Sequence, residues 1–88
     1  MILREFKALS LAKLVTLSKK LKEKYPEKSD RVDYIVNLLA RKLQNLRKYT
    51  LSDYLFTLYL AMSEFSEFAE LMPSEEEVEE LLKEAVGD

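Results

Sequence analysis

The sequence predicts an all-α fold, a compact antiparallel bundle of four helices, three long and one short. Three observations predict it. Apolar residues recur every three or four positions along the chain, and no segment shows the two-residue alternation of a strand. Glycine occurs once and proline twice in 88 residues, so breaks are few and sharply placed. Hydrophobic residues make up 48% of the chain, enough for one core, and the length suits a single domain over residues 1–88.

The first helix is expected over about residues 2–25. Leu3, Leu14, Leu17, Leu21 and Tyr25 share one side of a 3.6-residue wheel, Leu11 widens the stripe, and Pro26 ends it. Asp30 is placed to cap a second helix over about 31–48, with Val32, Ile35, Val36, Leu39, Leu43 and Leu46 inward. The third helix, about 51–71, starts at TLSD, where Thr50 can accept from the amide three residues on. Leu51, Leu55, Leu58, Met62, Phe65 and Met72 form its inward stripe, Ala69 fills a gap, and Pro73 ends it. Ser74 and Glu77 make the S-x-x-E start of a fourth helix, about 75–86. Its inward face is Val78, Leu81, Leu82, Ala85 and Val86, and Gly87 suits its stop. The third helix, richest in apolar residues, is expected at the centre.

Composition removes most catalytic chemistry. Histidine and cysteine are absent, and with them the commonest general base, thiolate nucleophiles and the Glu-x-x-His pairs of bundle metal centres. The serines Ser10, Ser18, Ser63 and Ser66 lie at helical positions with no base, and one terminal glycine cannot form a phosphate-binding loop. The expectation is a protein that is not an enzyme, with no cofactor, no metal and no small-molecule substrate. Charged residues interrupt the apolar start, so no signal peptide is read there. The run from Tyr54 to Met62 falls short of the roughly 20 residues that span a bilayer, so a cytoplasmic protein with no membrane association is expected. Short loops, two asparagines and one glutamine beside abundant lysine and glutamate match the hyperthermophile bias and point to an archaeal or archaeal-viral source.

Charge is strongly divided along the chain. Residues 1–49 carry 13 Lys and Arg against 5 acids, a balance of +8, and residues 50–88 carry 1 against 11, a balance of −10. Helix dipoles explain part of this, since Glu75 to Glu77 open the fourth helix and Lys22, Lys24, Arg47 and Lys48 close the first and second. The remainder suggests a positive surface. Lys13, Lys20 and Lys24 fall on one line of the first helix, and Arg41 and Lys48 share the outer line of the second with Tyr34, a pattern that could track a nucleic-acid backbone.

The third helix also carries more apolar surface than one contact needs. With Leu51 at zero, Phe56 and Leu60 fall at about 140° and 180°, opposite the inward stripe, and Leu71 lies close to the latter. Phe56, Leu60, Leu71 and Tyr59 are therefore candidate partner-binding residues, unless the other helices surround this one and take them into the core.

The leading expectation is a small non-catalytic protein–protein interaction module. It would be an accessory subunit or adaptor of a larger intracellular complex, with DNA-replication or other nucleic-acid-processing machinery as candidate hosts. Two alternatives stand beside it: direct nucleic-acid binding through Lys13, Lys20, Lys24, Arg41 and Lys48, and a homodimer in which a second copy covers the third helix. The stretch LLARKLQNLRKY is similar to a helix of the archaeal GINS replication proteins, although the small β domain of that family has no counterpart in this chain and the stretch assigns no family.

Overall fold

A computed structural model describes residues 3–87, with side chains from 3 to 83. Among the described residues the fold is all helical. Four α-helices follow in order, α1 (Leu3–Lys24), α2 (Ser29–Gln44), α3 (Leu51–Glu64) and α4 (Glu75–Gly87), with short 3-10 turns at Pro26–Lys28 and Ser66–Leu71.

Where α1 stops is set by Pro26, which opens the first 3-10 turn. That turn runs directly into α2. The Lys28 and Ser29 amides donate to the Tyr25 and Pro26 carbonyls, so the start of α2 is satisfied by backbone. Asp30, expected as the cap, instead sits inside the first turn of α2, where its charge still complements the dipole. The cap of α3 is as the sequence indicates. Thr50 has extended backbone, and its Oγ1 accepts from the Asp53 amide at 3.2 Å. Replacing it, Thr50→Ala, is expected to lower stability by about 1 kcal/mol, read as a lower urea midpoint at unchanged slope. Ser74 Oγ accepts from the Glu77 amide at 3.3 Å at the start of α4.

The packing is antiparallel. Lys22 pairs with Asp33 near one end of α1 and α2, and Lys7 Nζ reaches the Gln44 carbonyl at the other. Arg31 at the start of α2 meets Glu64 at the end of α3. The core joins Leu14, Leu17 and Leu21 of α1 to Val32, Leu39 and Leu43 of α2 and to Tyr54 and Leu58 of α3, with Leu81 closing it from α4. On α1 the core also takes Phe6 and the small polar Ser10.

The third helix departs from the expected 51–71. It ends at Glu64; Phe65 turns to φ −137°, ψ 99°, and the following 3-10 segment doubles back along α1. The cause is aromatic packing: Phe65 and Phe68 are both fully buried, with ring centroids 6.1 Å apart, and Phe65 lies 5.5 Å from the Tyr25 ring. The break resets the helical phase. Leu71, expected outside, is buried at 3% exposure, and Met72, expected inside, is exposed. Leu82, also expected inside, is exposed, and Ala85 and Val86 lie outside the described side chains. The helix at the centre is α1, which packs against α2, the 3-10 segment and α4; α3 keeps one face outward.

Candidate interaction surface

The outward face of α3 follows from its sequence. Leu51, Tyr54, Thr57, Leu58 and Ala61 occupy the buried arc, with Leu55 and Met62 at its margin. The remaining arc holds Ser52, Phe56, Tyr59, Leu60 and Ser63, and no lysine or arginine. Phe56 is 62% exposed, Tyr59 64% and Leu60 49%. Phe56 and Leu60 stand one turn apart, with Tyr59 beside them, so the three form one patch. Its apolar area is on the order of 300 Å², comparable with the largest patch on a typical monomer, which often serves a function.

Local hydrogen bonds make this face more apolar than its composition. Ser63 Oγ donates to the Leu60 carbonyl at 2.6 Å, and Ser52 Oγ bonds Thr50 Oγ1 at 3.0 Å. Both hydroxyls are thereby committed to their own helix, and a partner approaching the patch meets few unsatisfied groups. Acids mark one edge only. Asp53 lies near the start of α3 and Glu64 at its end, and Arg31 Nε of α2 donates to both Glu64 carboxylate oxygens at 3.2 and 3.0 Å. The guanidinium also lies over the Tyr34 ring at 5.4 Å. The Glu64 carboxylate holds the guanidinium in its charged form more firmly than usual.

The charge division of the sequence is answered in part within the fold. Lys24 Nζ bonds Glu67 Oε1 at 2.7 Å, which raises the ammonium pKa and holds the Glu67 carboxyl below its usual range. Lys13 Nζ reaches the Glu70 carbonyl at 3.3 Å, and Lys20 borders the same shallow groove between α1 and the 3-10 segment. The first three candidate cations thus border the 3-10 segment of the chain's own second half, and of them Lys24 is paired with an acid there. Arg41 stands in the last turn of α2 and Lys48 in the turn beyond it, both exposed, at the end that the Lys7–Gln44 contact sets beside the start of α1. The structure therefore brings Phe56, Tyr59 and Leu60 together, removes Leu71 from their surface and divides the five cations between two places.

Sequence reasoning missed Arg31. Its position beside the buried arc of α2 was readable, but its acid lies 33 residues away and only the antiparallel α2–α3 pairing brings the two together. No helix among the described residues is long and apolar enough to cross a membrane. Comparison with family models, with curated proteins and with solved structures finds no match to this chain.

Proposed function

We propose that this chain is a non-catalytic protein–protein interaction module, an accessory subunit or adaptor, and that it docks through the outer face of α3. One observation carries the reading. Phe56, Tyr59 and Leu60 stay in solvent on a helix whose opposite side already closes the core, so they contribute little to holding the monomer together. Large apolar side chains gathered at one exposed place gain most when another protein covers them, and aromatic residues are favoured anchors at such centres.

Two measurements test it. The double variant Phe56→Ser with Leu60→Ser is expected to keep the helicity and melting midpoint of the parent, since surface substitutions cost within about 0.5 kcal/mol. A photo-crosslinking residue in place of Tyr59 is expected to give protein adducts that the same residue at exposed Glu23 does not, and those adducts should vanish in the double variant. Unfolding of the double variant would return the patch to the core, and equal labelling from positions 59 and 23 would end the docking reading.

A further inference from the structure

We propose that the protein covering the α3 face is a second copy of this chain, docked about a two-fold axis that crosses α3 between Phe56 and Leu60 and sets the two α3 helices antiparallel. The inference rests on the docking reading above and adds the identity of the partner. Its carrier is the charge arrangement along the edge of the face that adjoins α2.

A two-fold axis perpendicular to a helix reverses the order of residues and keeps like edges together. With the axis midway between Phe56 and Leu60, Phe56 lies against Leu60 of the partner subunit, and the reverse contact repeats the pair. Asp53 and Glu64 are eleven residues apart, three helical turns, and so share one edge of α3 to within about 20°. The same operation brings Asp53 to the level of Glu64 of the partner subunit. Two facing acids would repel there, but Arg31 is fixed at that end of the helix. Its Nε is engaged with Glu64, and among the described residues no hydrogen bond occupies its terminal nitrogens, which can donate to an incoming carboxylate. Asp53, for its part, makes no ion pair among the described residues and is exposed. Each end of the interface then becomes an Asp–Arg–Glu cluster, and the two clusters are related by the axis.

Charge also decides the direction. A parallel pair would put like edges on opposite sides of the seam, so Asp53 would lie across from the Tyr59 edge of the partner subunit and Arg31 would gain no second carboxylate. The antiparallel pair answers both with donors already in place. The area involved is small. The exposed patch supplies on the order of 300 Å² per copy and the charged edge adds to it, so the total falls below the roughly 1,200 Å² of standard interfaces, in the range of weak and reversible contacts.

The test is sedimentation of the purified chain from about 1 μM to about 1 mM, a range in which an interface of this size should dissociate. The expected result is a mass that rises from one chain to two, with a melting midpoint that rises with concentration. Phe56→Ser should hold the mass at one chain. Asp53→Ala should weaken association about five-fold and Arg31→Ala by more, since it leaves Asp53 facing Glu64 of the partner subunit; the double variant should be no weaker than Arg31→Ala, against the product of the two effects expected of independent sites. Helicity of each variant confirms that it folds. A single-chain mass throughout the range would overturn self-association, and heterologous adducts from position 59 would then leave the docking reading standing. A dimer in which the two alanine effects multiply would overturn the antiparallel geometry.

Discussion

Phe65→Ala is expected to destabilise the fold by about 3–5 kcal/mol, the range for deleting a fully buried phenyl ring. Phe65 holds together parts of the chain that are far apart in sequence. Its ring lies 5.5 Å from the Tyr25 ring and 6.1 Å from that of Phe68, with the Lys28 ammonium 5.6 Å above it. Its amide closes α3 on the Ala61 carbonyl at 2.8 Å, so the residue that ends the helix also anchors the chain reversal. Domains of this size are stable by roughly 5–10 kcal/mol, and the loss would consume a large share of that margin. The control is the same change nine residues earlier. Phe56→Ala, on the exposed face, should cost about 0.5 kcal/mol or less. Denaturant unfolding followed by helical circular dichroism reads both, with the midpoint of Phe65→Ala far below the parent and that of Phe56→Ala close to it. Equal losses would mean that the two faces of α3 are not inside and outside as described.

The contrast between these phenylalanines shows where the sequence is legible. Position on the wheel of α3 separates Phe56 from Leu51 and Leu58, because one regular helix runs from Leu51 to Glu64 and its phase is kept. The α2 stripe from Val32 to Leu43 is readable for the same reason, whereas the helix expected to reach 48 ends at Gln44 and Leu46 is buried from the turn beyond it; the Thr50 and Ser74 caps are readable because their hydrogen bonds reach only three residues along the chain. The break at Phe65 is not readable. No glycine or proline marks it, and apolar residues continue at helical spacing to Met72; the cause is the burial of Phe65 and Phe68 against Tyr25, some 40 residues away. Once the phase is lost, Leu71 and Met72 exchange sides. The charge division has the same character. Lys24 is 43 residues from Glu67 and Arg31 is 33 from Glu64, so the two halves look opposed along the chain and meet only across antiparallel contacts. The candidate face was visible as surplus apolar surface. Its charged edge was not, because it is assembled from two helices.

Between about pH 10 and pH 12 the protein is expected to lose about 2 kcal/mol of stability through Tyr54 alone. Tyr54 is fully enclosed, and its hydroxyl has no hydrogen-bond partner of good geometry among the described residues. Burial opposes the phenolate and pushes the pKa from 10.0 up to about 12, with nearby Ser10 offsetting the effect only in part. The sign follows from proton counting. Above pH 10 the unfolded chain releases the proton while the folded chain retains it, so stability falls with rising pH until the folded tyrosine ionises as well. Below pH 10 this contribution is fully present. Lys24, whose pKa is raised by Glu67, also loses its charge on the alkaline side and weakens the fold in the same direction, so the parent curve alone cannot isolate the tyrosine. Tyr54→Phe does isolate it. The substitution keeps the ring that packs edge-on against Phe6 at 6.3 Å and removes a buried hydroxyl that gains little from its surroundings. At neutral pH the variant should match the parent or exceed it by about 1 kcal/mol. By pH 12 the gap should widen by about 2 kcal/mol, measured by urea unfolding at a series of pH values. A constant gap across the series would mean that the Tyr54 hydroxyl reaches water in the folded protein, and that the junction of α1 and α3 is open where the structure closes it.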